Sequence, residues 1–129
     1  MGNGTGLGRV RGLGSARQGA HHWIIHRLTA VSNVLLTLWL LFSLLLLPNF
    51  DYETVATWLS DPMVAVPMIL MLISIFWHIR LGLQVLIEDY FHEPAMKLFA
   101  LVVLNFYAIG AAAFGIFAVA KLAFAGVPA

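Results

Sequence analysis

The sequence contains no cysteine, which excludes disulfides and the thiolate ligands that iron–sulfur clusters require. Electrons passing through such a chain must be held by another carrier. Charge is almost as scarce. Seven Lys/Arg and six Asp/Glu make up 10% of the 129 residues, where a soluble domain carries about 25%. That deficit excludes an ordinary solvated globular fold. Acidic residues are missing altogether from Met1 to Arg27, a glycine-rich stretch that holds Arg9, Arg11, Arg17 and Arg27. It reads as a flexible basic arm, and its Arg-rich, acid-free composition would also suit an organellar transit peptide. The apolar run of a cleavable signal peptide is absent from it, and Gly6 stands where a myristoylation start needs Ser or Thr. Insertion by the first hydrophobic span is the simpler reading.

Apolar residues are abundant, at 61%. Leu28–Phe50 and Leu98–Ala120 are each 23 residues without a formal charge, and Met63–Glu88 is interrupted only by His78 and Arg80. About 20 such residues in a helix cross a hydrocarbon core of roughly 30 Å. The spacing therefore predicts an all-α membrane protein with three transmembrane helices over about 22–47, 63–91 and 94–125. An arm over 1–21 precedes an anchor domain over 22–129. Three spans and short connectors fill the length, leaving no private, water-excluding catalytic core, so any chemistry is expected to be shared with partners. Lys97 joins the arm's arginines on one side, whereas Pro48–Pro62 carries Asp51, Glu53 and Asp61. The positive-inside rule then puts the N-terminus in the cytoplasm and the C-terminus across the membrane. In the acidic connector Tyr52 and Trp58 suit interfacial anchors. Pro94 suits the first turn of a helix, and Ala108-xxx-Ala112 and Ala111-xxx-Gly115 suit close packing on another helix.

Polar groups in hydrocarbon are costly and face a cavity, a cofactor or a partner, so the second span carries the functional signal. At about 100° per residue, Gly82, Val85 and Asp89 fall within about 40° of His78, whereas Arg80, Gln84 and Ile87 lie on the opposite side. The helix has two polar faces. His78 sits about 16 Å below Asp89, near the midplane if Asp89 marks the boundary. An imidazole at that depth either ligates haem iron or bonds to a neighbouring helix. Gly82, one turn along the same stripe, leaves room for a flat ring or a close helix. His21, His22, His26 and His92 are expected near helix ends, out of reach of His78, so the chain would offer one axial ligand. No acid of the chain matches the depth of Arg80, for which a partner's acid, a backbone carbonyl or a water pocket is expected. At the end of the span, Tyr90 and Asp89 suit first an interfacial anchor and a solvated carboxylate, and behind that a quinone carbonyl and its protons. His21 and Arg27 bracket the first span and suit haem propionates, quinone oxygens or lipid phosphates.

The pattern His78-xxx-Gly82-xx-Val85-xxx-Asp89-Tyr90, with His21-xxxxx-Arg27 followed by Leu28-Thr29-Ala30, resembles the smaller membrane-anchor subunit of succinate dehydrogenase, respiratory complex II. Arg9–Ala16 and His78–Val85 with Glu88-Asp89-Tyr90 look like the alphaproteobacterial branch of that family. The resemblance implies half of a heterodimeric helical bundle in a bacterial inner membrane, the C-terminus being periplasmic. It implies His78 as an axial ligand of haem b, His21 and Arg27 near the haem propionates, and Tyr90 with Asp89 at the ubiquinone site. Implied partners are a second, cytochrome b556-type anchor subunit, an iron–sulfur subunit, a flavoprotein subunit and the lipid bilayer, with no nucleic acid. The larger anchor's Ser-xx-His-Arg-x-Ser/Thr-Gly start is imitated only by His26-Arg27-Leu28-Thr29. Trp23 replaces the serine and Ala30 the glycine. The chain would not be the catalyst itself but would pass electrons from succinate to ubiquinone. Two other readings compete: a small transporter or channel subunit with Arg80, His78 and Asp89 along a polar path, and a structural anchor without haem.

Overall fold

The computed structural model describes Gly6 and residues 17–125, the side chains of Arg17 and Gln18 excepted. The arm's Arg9 and Arg11 lie outside the described residues. Among the described residues four helices are defined, in order: α1 (Arg17–Leu45), α2 (Tyr52–Ser60), α3 (Pro62–Tyr90) and α4 (Pro94–Ala125). Among the described residues there is no strand. Three of the helices, α1, α3 and α4, are long and apolar enough to cross a membrane. The fold is all-α, as the periodicity and length of the apolar runs predict. α1 begins at Arg17 rather than near His22, which carries His26 more than two turns into the helix instead of leaving it at the end.

The acidic connector is itself helical. Asp51 caps α2 by accepting from the Thr54 amide at 2.8 Å, and hydrogen bonds from the Thr54 side chain and from that amide hold its carboxyl below the usual carboxylate range. Asp61 ends α2 and begins α3. Its amide donates to the Trp58 carbonyl, and its side chain accepts from the Met63 amide at 3.0 Å, next to Pro62 in the first turn. Such caps satisfy backbone groups that a helix end leaves without partners. Tyr52 is exposed, in line with an interfacial anchor. Trp58 instead turns inward and stacks on Trp39 of α1, ring centroids 6.4 Å apart.

α3 is the middle helix. It packs against α1 on one side and α4 on the other, and among the described residues α1 and α4 do not approach each other. Few side chains are buried. Leu81, Ser74, Met71 and Ala65 of α3, Leu104, Ala108 and Val119 of α4, and Ala56 of α2 are buried. The small-residue spacing of α4 reads correctly as a packing face, because Ala108 is buried and Gly115 lies against Leu72 of α3. A Cβ on Gly115 would stand 3.2 Å from a Leu72 methyl carbon. Gly115→Ala is therefore expected to be tolerated as the Leu72 methyls shift. Gly115→Leu should cost about 1–3 kcal/mol by overpacking, measured by unfolding of the detergent-solubilised protein.

Candidate functional site

α3 uses both of its polar faces. On the first, His78 is half-buried against α1. Its Nδ1 lies 3.0 Å from the Thr29 hydroxyl oxygen, which is also 3.0 Å from the carbonyl oxygens of Ile25 and of His26. One turn earlier on α3, the Ser74 hydroxyl donates to the Thr29 carbonyl at 3.3 Å. Two hydrogen-bonding side chains of α3 thus converge on a single residue of α1. The His26 ring stacks on that of His78, with centroids 4.5 Å apart and planes 29° from parallel. This corrects the expectation that no other histidine reaches the depth of His78. With α1 starting at Arg17, His26 is about 13 Å along the helix axis and level with the middle of α3. Asn33 continues the same face of α1, and its Oδ1 is buried without a hydrogen-bond partner.

Beyond His78 the stripe is open. Gly82, Val85 and Asp89 are exposed, and a Cβ on Gly82 would meet nothing within 4 Å. Among the described residues, no helix of this chain covers that strip.

On the opposite face, Arg80 is half-buried between α3 and α4 and donates from Nε to Oδ1 of Asn105, whose Nδ2 in turn donates to the Leu101 carbonyl at 2.7 Å. The Arg80 guanidinium carbon also lies 5.8 Å from the centre of the Trp77 ring, within cation–π range. The partner of Arg80 is thus an amide from the chain's own last span, not the acid, carbonyl or water pocket expected. Arg80 forms one wall of a 300 Å³ cleft with Trp77, Asn105 and Ala112, and of an adjoining 510 Å³ cleft with His21, His22 and Gln84.

The structure places His21 in that second cleft, beside Arg80 rather than beside His78. Arg27, exposed, lies with its guanidinium carbon 5.5 Å from the centre of the Trp23 ring. Six residues along a helix turn these two about 120° apart, so they do not share one collar position within this chain. Asp89 and Tyr90 stand exposed together at the end of α3, where Gln84 donates to Glu88 at 2.9 Å and the Phe91 amide closes the helix on the Ile87 carbonyl. Sequence reasoning misses Thr29, His26 and Asn105 as partners. Thr29 and Asn105 carry a usable signal, as rare hydrogen-bonding side chains inside apolar runs.

Residues 1–112 match the family of succinate dehydrogenase/fumarate reductase transmembrane subunits. The chain belongs to this family. It is 39% identical over 82 residues to the succinate dehydrogenase hydrophobic membrane anchor subunit of Rickettsia bellii, covering 64% of this chain and 66% of that one. To the protein of the same name from Rickettsia conorii it is 28% identical over 102 residues, covering 78% of this chain and 81% of that one. No solved structure matches the chain significantly.

The Arg80–Asn105 pair is expected to be asymmetric. Asn105→Leu should destabilise the solubilised protein by about 1–3 kcal/mol, because it leaves a charged donor without its acceptor. Arg80→Leu should cost less, since Asn105 keeps its bond to Leu101, and Arg80→Leu combined with Asn105→Leu should be more stable than Asn105→Leu alone.

Proposed function

We propose that the chain is the smaller anchor subunit of a succinate:ubiquinone oxidoreductase, supplying one axial ligand of haem b and part of the quinone site. The observation that carries this reading is His78: a half-buried mid-span imidazole, held at Nδ1 by Thr29, with open space over Gly82 one turn away. Among the described residues no three His, Cys, Asp or Glu side chains gather to hold a bare metal ion. A porphyrin would bring its own ring nitrogens, so His78 of this chain with one imidazole from a neighbour would be enough to hold it. The donor set fits haem and does not fit a free cation. When bound, haem supplies single-electron transfer.

This chain's residues act around that group. His78 would hold the haem, and the absence of a side chain at Gly82 leaves room beside it. Arg27, exposed about 15 Å along α1 from its start, suits a propionate carboxylate through paired charge-assisted bonds, whereas His21 lies about 120° round the helix beside Arg80 and is not grouped with it. Tyr90 donates to a quinone carbonyl, and Asp89 beside it relays protons as ubiquinone takes up two electrons and two protons. A flavoprotein partner oxidises succinate to fumarate, an iron–sulfur partner conducts the electrons, and a second anchor supplies the opposing histidine. The chain holds the soluble pair at a bacterial inner membrane, N-terminus in the cytoplasm and C-terminus in the periplasm. The transporter reading is disfavoured by position. His78 and Arg80 engage different helices on opposite faces of α3, so they do not line one path.

In the complex purified with its partners, the reduced-minus-oxidised spectrum should show a b-type haem that His78→Ala removes; a spectrum without haem leaves the structural-anchor reading in its place. Tyr90→Phe should lower quinone reduction about tenfold, the worth of one lost hydrogen bond, while succinate oxidation by a soluble acceptor stays near wild type. Equal loss of both activities would mark an assembly defect.

A further inference from the structure

We infer that Thr29 sets the tautomer of His78, keeping its proton on Nδ1 and leaving the Nε2 lone pair for iron; the inference rests on the haem reading above. A count of protons carries it. A threonine hydroxyl has one hydrogen and two lone pairs. The Thr29 oxygen lies 3.0 Å from the Ile25 carbonyl and 3.0 Å from that of His26, and carbonyls only accept. The hydroxyl hydrogen is therefore committed to its own helix, as threonines in helices commonly bond back to the preceding turn. What Thr29 turns toward His78 is a lone pair. Nδ1, at 3.0 Å, must donate to it. In a neutral imidazole the other nitrogen is then the acceptor, the form in which a histidine binds a metal.

Two more contacts fix the ring. Ser74 ties α3 to the Thr29 carbonyl at 3.3 Å, which sets the height of His78 against Thr29. The His26 ring covers one face of the imidazole at 4.5 Å, which restricts rotation about its Cβ–Cγ bond. α1 thus holds His78 by an edge and by a face. Thr29 is a positioning residue, since it would act on the haem only through His78.

An acceptor on the remote nitrogen raises the basicity of a ligating imidazole, and partners of this kind are worth about 10–100-fold in affinity. A stronger donor favours ferric over ferrous iron, so the bond to Thr29 lowers the midpoint potential of the haem. The test compares wild type, Thr29→Val and Thr29→Ser in the complex purified with its partner subunits. Its readouts are haem content, the midpoint potential from an optical redox titration, and the rate of haem transfer to an apo-globin acceptor. Valine keeps the shape and removes the acceptor. Thr29→Val is expected to retain haem with an upward-shifted potential and haem transfer about 10–100-fold faster, while Thr29→Ser stays with wild type. Wild-type potential and transfer rate in Thr29→Val overturn the inference. So does a Thr29→Ser variant that behaves like Thr29→Val, because the lost group is then the methyl. Should Thr29→Val not assemble, Thr29→Cys replaces it, a thiol being only a weak acceptor; the same upward shift supports the inference and wild-type values overturn it. Full haem in His78→Ala is a separate outcome, which removes the haem reading itself and the inference with it.

Discussion

A polar side chain carried into hydrocarbon has no water to turn to and must find its partner on protein. That constraint organises this molecule. α3 takes an imidazole and a guanidinium into the apolar zone on opposite faces, and each is met by a hydrogen-bonding group of an adjacent span: Thr29 of α1 for His78, Asn105 of α4 for Arg80. The three long helices lie in the order α1, α3, α4, with one polar meeting point on each seam. Packing alone would leave the rotation of α3 weakly specified, because apolar surfaces slide over one another at little cost in lipid. Two directional contacts on opposing faces fix it.

Much of this architecture is legible in the amino-acid sequence. The three spans follow from charge-free length, and the stripe from His78 to Asp89 follows from the helical period. What a single helix wheel does not contain is the vertical register between helices. A helix start near His22 leaves His26 at the membrane boundary. The start at Arg17 lowers that ring by more than a turn relative to the expected end, enough to bring it onto His78. Arg80 differs for another reason. A buried cation directs attention to acids, carbonyls and water, whereas the side-chain amide of Asn105 on the following span meets the requirement without a second charge. Trp58 has the sequence position of an anchor in a polar connector, but the connector folds into a helix whose inner side packs, and an indole on that side is drawn to Trp39.

The strip over Gly82 and Val85 is the counterpart of these satisfied contacts. Among the described residues, helices of this chain cover the opposite polar face and leave this strip beyond His78 bare. That bare strip lies directly beyond an imidazole fixed by a neighbouring helix. Exposed Asp89 lies along the same edge, so one face of one helix runs from the middle of the span to its end, with Tyr90 about 120° to the side.

The back-bond of Thr29 to its own helix bears on biogenesis. During synthesis α1 precedes α3 by a connector of residues 46–61 and so emerges before the helix it docks on. A hydroxyl already occupied by the carbonyls of the preceding turn crosses that waiting period without an orphaned hydrogen. When α3 arrives, the docking bond forms on the oxygen's spare electrons and nothing earlier need break. The ordering of translation and the ordering of contacts are thereby made compatible by a single side chain.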